Sequence, residues 1–157
     1  SSDAHNLTQP QADGQVRAIR AALADAKLAP EAIGYINAHA TGTTVGDVAE
    51  IDAVKAAFGD HARRLAISAT KSMHGHLVGA AGAYELAITL LALAARRLPP
   101  TAHLTDPDPA CDLDCVPITA RDAPDLEYAL SNSFAFGGSN AVLVARRTAQ
   151  SRPATGG

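Results

Sequence analysis

Ile33-Gly34-Tyr35-Ile36-Asn37-Ala38-His39-Ala40-Thr41-Gly42-Thr43 is the stretch that decides how this chain is read. Its first six residues form a short apolar, β-prone run, of strand rather than helix length. The residues that follow carry an imidazole and hydroxyl groups into a polar loop. Beyond it, Asp47 is a credible N-cap with Glu50 three residues on, as in a capping box. This predicts a helix that runs to about Phe58 and stops at Gly59.

The same design recurs downstream. Leu65-Ala66-Ile67-Ser68 reads as a second strand, and Lys71-Ser72-Met73-His74-Gly75-His76-Leu77 leads into a long apolar helix expected to start near Gly75 or His76. Each run therefore sets a histidine at the rim of a sheet, where α/β proteins build their sites. Working outward, Asp13 to Leu28 carries Val16, Ile19, Ala22, Leu23 and Ala26 at helical spacing, with Pro30 as the stop. Pro99-Pro100 closes the long helix, and the proline-rich Thr101 to Pro117 is expected to be irregular. Glu127 to Ser133 and Ala141 to Arg147 read as a hairpin, joined through Phe134-Ala135-Phe136-Gly137-Gly138-Ser139-Asn140. The order implies an α/β fold, a mixed sheet with helices on it.

Composition narrows the class. The 157 residues are 47% hydrophobic and 18% charged, the profile of one globular domain with a real core. A net charge of −3 without a basic stripe, together with the absence of Trp, argues against nucleic acid as a partner. Leu77 to Ala95 has the length of a membrane span, but Glu85 inside it would be costly in lipid, and a buried helix of a layered protein fits better. Cys111 and Cys115 match neither a redox pair nor a zinc pair. No secretory leader is seen at Ser1, so both are expected as reduced thiols of a cytoplasmic protein, and the polar opening without Met is read as that of a processed or cut product.

A single histidine at a strand end is most often structural. The loop after His39 shifts that balance, because Thr41, Thr43 and Thr44 offer hydroxyls and Gly42 and Gly46 permit close approach; a plain turn with a helix cap is the bland alternative. His76, at or just before a helix start, would be held neutral by the partial positive charge there. Two neutral imidazoles facing one carbonyl oxygen would stabilise an enolate or a tetrahedral oxyanion. Lys71 brings a positive charge to the same loop, and Glu85 is the carboxylate expected to pair with it. The rival use is a metal site from His39, His74 and His76, for which no carboxylate motif speaks. His5, His61 and His103 sit in polar or proline-flanked contexts and are expected at the surface.

The run from Asn37 to Thr43, followed by Gly46-Asp47 and Glu50, resembles the first histidine motif of β-ketoacyl-acyl-carrier-protein synthases. Lys71-Ser72-Met73-His74-Gly75-His76-Leu77-Val78-Gly79-Ala80-Ala81-Gly82 resembles their second, and Asn132 to Asn140 their C-terminal glycine-rich loop. The likeness runs in order from Ser1 to about Arg147 and is nearest to the elongating type II synthases and the similar domains of polyketide synthases. It departs at Ala40, where Gly is frequent, and at His74, where a smaller polar residue is common.

The resemblance implies a thiolase-like fold of two similar α-β-α halves. Residues 1–147 would be the C-terminal half and 148–157 a flexible tail. It implies decarboxylative condensation of an acyl thioester with malonyl on acyl carrier protein, without a cofactor of the enzyme's own, the substrates riding on phosphopantetheine. His39, His76 and Lys71 would be catalytic, with Glu85 paired to Lys71. Thr41 and Thr43 would contact the phosphopantetheine arm, and Phe134 would gate the acyl pocket with Gly137 and Gly138 giving the loop freedom. The nucleophilic cysteine would lie in a partner N-terminal half, since neither Cys111 nor Cys115 has a setting that lowers a thiol pKa. The complete enzyme would be a cytoplasmic homodimer that binds acyl carrier protein and neither nucleic acid nor membrane. Retention of both histidines and Lys71 argues against a chain-length-factor relative. The alternative is a half-fold that binds a synthase or carrier protein without catalysis.

Overall fold

The computed structural model describes residues 1–2 and 10–148. The last residues of the expected tail, 149–157, and His5 lie outside the described residues. Four strands form the main sheet: β1 (Ile33–Asn37), β2 (Ala66–Ser68), β5 (Tyr128–Ala135) and β6 (Ser139–Arg146). Their order is β2-β1-β5-β6, with β1 parallel to both β2 and β5 and β6 antiparallel to β5. The mixed sheet and the terminal hairpin are as the sequence predicts. A two-stranded ribbon, β3 (Arg97–Leu98) and β4 (Arg121–Asp122), was not legible and brackets the irregular Thr101–Pro117 segment.

The period-two alternation of the strands sorts the core into two faces. Ile36, Ile67 and Leu130 pack on one side with Val16, Ile19 and Leu23 of α1 (Ala12–Ala26) and Ile51, Val54 and Phe58 of α2 (Gly46–Phe58). Tyr35, Ala66 and Ala129 turn to the other side, against Ala92 and Leu93 of α4 (Ala81–Ala95). The result is an α-β-α sandwich. At the irregularity between Ile33 and Tyr35 a Cβ on Gly34 would lie 3.0 Å from the Leu126 side chain, so a larger residue there would have to push that side chain aside.

Several boundaries differ from expectation. Neither Pro30 nor Pro99-Pro100 stops its helix: α1 and α4 each end earlier, on Lys27 and Arg96 in the left-handed conformation. His76 does not open the long helix. A one-turn helix, α3 (Lys71–His74), ends at Gly75, whose φ of 76° only glycine adopts easily, and α4 begins at Ala81 after the 3-10 turn Val78–Ala80. His61 is buried rather than exposed, its Nε2 2.8 Å from the Ile33 carbonyl oxygen; His103 is exposed as expected.

The stretch Val78–Ala95 is long and apolar enough to cross a membrane by length and composition, yet only 28% of it is buried in this chain, which corrects the expectation of an all-round buried helix. One stripe, with Ala81, Glu85, Thr89 and Ala92, lies on the sheet, while Tyr84, Leu90 and Leu91 face outward. The single charge of the helix is on the inward stripe.

Candidate active site

The site grows from the ends of β1 and β2. Asn37, the last residue of β1, is fully buried and wired on both ends of its amide. Its Nδ2 donates to the Glu85 carbonyl oxygen at 3.0 Å and to Thr89 Oγ1 at 3.2 Å, and its Oδ1 accepts from Thr70 Oγ1 at 3.0 Å. Three elements are thereby tied at one point: β1, α4 and the turn that leads from β2 into α3. The next two residues along place His39 above the sheet edge, and Thr70 places Lys71.

Glu50 holds the His39 backbone from below. Its two carboxylate oxygens accept the His39 N–H at 3.0 Å and the Ala40 N–H at 2.8 Å. The capping box read from Asp47 and Glu50 does not form, because α2 opens at Gly46 with Val45 as its N-cap, two residues earlier than an Asp47 cap would place it, and Asp47 turns back to accept the Gly42 N–H at 3.1 Å. Thr43 Oγ1 takes the Gly46 N–H at 3.1 Å instead. Thr41 and Thr43 are both exposed on this loop.

Lys71 and Glu85 form the expected ion pair, with side chains 5% and 1% exposed. The Lys71 ammonium also stands 3.5 Å from His39 Nδ1. An ammonium can only donate, so Nδ1 is the accepting nitrogen and the proton of the neutral ring belongs on Nε2. Burial, the Lys71 charge and His76 together push the His39 pKa down to about 4, so the ring is neutral at physiological pH.

His76 reaches the same tautomer by another route. Its Nδ1 accepts the Val78 N–H at 3.2 Å, which leaves Nε2 to carry the proton. This local amide, and not the end of a long helix, is what orients the ring. The two imidazoles lie edge to face with centroids 5.7 Å apart. Phe134 completes the cluster, 6% exposed, with its ring 6.1 Å from that of His39. At the tip of the same hairpin Phe136 is 77% exposed, followed by Gly137 and Gly138, both at positive φ.

His74 turns away from this pair: its Nε2 is 3.3 Å from Thr70 Oγ1 and its ring packs edge-on against Tyr84. Among the described residues no group of three His, Cys, Asp or Glu side chains is placed to hold a metal ion. Cys111 and Cys115 are free thiols beside a cavity of about 350 Å³ under α2, a cavity that neither His39 nor His76 lines. Burial pushes both thiols up, Cys115 to about 11, the opposite of an activated nucleophile.

Sequence reasoning thus named His39, His76, Lys71, Glu85 and Phe134, and the fold brings these five together. It missed Asn37, Thr70 and Asn132, and misassigned Glu50. The available signal was polarity in the wrong place: Asn37 and Asn132 both sit inside β-prone runs, where a buried amide needs partners.

Comparison with known proteins gives one consistent picture. The family described as beta-ketoacyl synthase, C-terminal domain, matches residues 1–105. The chain is 48% identical to 3-oxoacyl-[acyl-carrier-protein] synthase 2 of Coxiella burnetii over 149 residues, covering 94% of this chain and 36% of that protein. It is also 48% identical to the Vibrio harveyi protein of the same name, covering 96% of this chain and 37% of the relative. Among solved structures, a beta-ketoacyl synthase from Burkholderia phymatum superposes with a TM-score of 0.89 at 47% identity, over 95% of this chain and 36% of that one. A ketosynthase of a type II polyketide synthase, solved in complex with its acyl-carrier protein, superposes with a TM-score of 0.90 at 35% identity, over 95% and 37%. The chain spans little more than a third of the length of the curated relatives it matches.

Proposed function

Because this chain belongs to the β-ketoacyl synthase family, matching its C-terminal domain, we propose that it supplies the decarboxylating half of a condensing active site. The observation that carries this is the pair of imidazoles. In each ring a fixed donor occupies Nδ1, so two Nε2–H groups are left to point at one developing oxyanion.

The chemistry follows from that arrangement. The malonyl thioester of an acyl carrier protein sits with its carbonyl oxygen between the two Nε2–H donors. The bond from the α-carbon to the free carboxylate breaks, carbon dioxide leaves, and the electron pair flows to the thioester oxygen as an enolate. The enolate carbon then attacks an acyl thioester on a cysteine of the N-terminal half, and the cysteine thiolate departs. No cofactor of the enzyme's own takes part. Lys71, held by Glu85, keeps His39 in its accepting-Nδ1 form. Thr41 and Thr43, exposed on their loop, offer hydroxyls to the phosphopantetheine arm. Phe134 stands beside His39 as the gate to the acyl site, with Gly137 and Gly138 as its slack.

In this reading the chain is a half-domain, residues 1–147, that works with an N-terminal half in a cytoplasmic homodimer, and alone it is inert in condensation. The test is reconstitution: the purified chain is combined with the N-terminal half of its protein and assayed with acyl- and malonyl-carrier substrates. Condensation that requires both halves supports the reading. A complete assembly that binds carrier protein but never condenses would instead favour the non-catalytic half-fold.

A further inference from the structure

The loop of residues 75–80 carries His76 between α3 and α4, and every one of its residues is exposed. The hydrogen bonds it makes among the described residues are local. The Gly75 N–H donates to the Lys71 carbonyl oxygen at 2.8 Å and the Ala80 N–H to that of Leu77 at 3.0 Å, while the Val78 N–H serves His76 itself. None of them ties the loop to the sheet. Its base is closed instead, and by two contacts. On the buried side Lys71 pairs with Glu85. Beside that pair, His74 meets Tyr84, the residue before Glu85, with ring centroids 4.8 Å apart and planes at 74°.

The His74 ring is itself oriented. Thr70 Oγ1 gives its one proton to Asn37 Oδ1, so the 3.3 Å contact with His74 Nε2 is a donation from the histidine. Nδ1 then carries the lone pair, buried and without a partner among the described residues. One hydrogen bond, to the residue before Lys71, thus aims the imidazole at Tyr84. Edge-to-face is a preferred arrangement of aromatic rings. His74 touches neither Lys71, Glu85 nor His39 through its side chain, so its influence on the site runs through the loop it closes.

We propose that His74 and Tyr84 form a clasp that shuts the base of the His76 loop and so sets the His76 imidazole against that of His39. Both are positioning residues for decarboxylation. This rests on the catalytic reading above. A segment closed at its base by two contacts has fewer conformations than one held by the Lys71–Glu85 pair alone. His76 needs that restraint, because its own hydrogen bond lies within the loop and moves with it.

The experiment is a double-mutant cycle in the complete enzyme, both halves present, with carbon dioxide release and acyl loading measured on the same samples. His74→Thr removes one ring and Tyr84→Ala the other. Each should lower kcat for release about tenfold, as misplacement of a reacting group does, with KM for malonyl-carrier protein and acyl loading unchanged. The double variant should also lose about tenfold, not the about hundredfold of two independent losses. Any cost that Tyr84→Ala carries through another neighbour cancels in the cycle. Tyr84→Phe keeps the ring and should stay within about twofold of wild type. A full rate in either single variant, losses that multiply in the double variant, or a Tyr84→Phe as slow as Tyr84→Ala overturns the proposal. Should His74→Thr lose acyl loading as well, His74→Gln, which keeps an amide for Thr70 but no ring, takes its place in the cycle. A wild-type enzyme that releases no carbon dioxide would refute the catalytic reading itself, a distinct result.

Discussion

Lys71 faces two partners at once, and its neighbours separate its roles. With Glu85 it forms a buried pair, and removing one member of such a pair costs about 3–5 kcal/mol because the other charge is stranded. Lys71→Met should therefore lower the melting temperature sharply, and Lys71→Met with Glu85→Leu should recover most of it without recovering decarboxylation. Restored rate in the double variant would demote Lys71 to a structural ion. His39 makes the pH prediction. An ordinary histidine loses its neutral ring below about pH 6.5, whereas burial and the Lys71 charge hold His39 neutral down to about 4. Between those values the native protein binds fewer protons here than the unfolded chain. Stability from this group is therefore complete above pH 6.5 and lost as pH falls toward 4. Followed by its own ring NMR signals, His39 should stay neutral from pH 7 to about 5; a half-titration of that ring near pH 6.5 would show that it is not so held.

The break between α3 and α4 matters more than either helix. Gly75 has φ 76° and ψ −179°, a region open essentially to glycine alone, and it delivers His76 to the Val78 amide. Gly75→Ala should strain this joint by about 1–3 kcal/mol and swing His76 away, so carbon dioxide release should fall about 10²-fold in a protein that still melts cooperatively. An unchanged rate would mean that the ring is placed by other contacts. This break was not legible from sequence, because the residues after it are apolar and helix-prone and periodicity sees no interruption. Strands β1, β2, β5 and β6 were legible, since each is a β-prone run between turn residues. Glu50 was misread for a physical reason: a capping box is a local pattern, while its actual partner Asn132 is brought in by the tertiary fold. Lys71 and Glu85 could be paired in advance because a carboxylate inside an apolar helix demands a cation.

At the scale of the molecule, the described residues form an α-β-α sandwich whose α4 presents Tyr84, Leu90 and Leu91 to solvent, with Leu91 67% exposed. Apolar surface of that kind is normally covered in a finished protein. The isolated chain should self-associate on size exclusion at micromolar concentration, and Leu90→Lys with Leu91→Lys should return it to a monomer; a monomeric wild-type chain would contradict this. It should also show no condensation, because Cys111 and Cys115 are suppressed thiols outside the histidine cluster. The central claim is that these residues perform decarboxylation while the nucleophile lies elsewhere. The most direct test measures carbon dioxide release and acyl loading side by side in the complete enzyme carrying His39→Ala or His76→Ala. Release should fall by about 10²–10³-fold while acyl loading stays measurable. Unimpaired release in either variant would contradict the account.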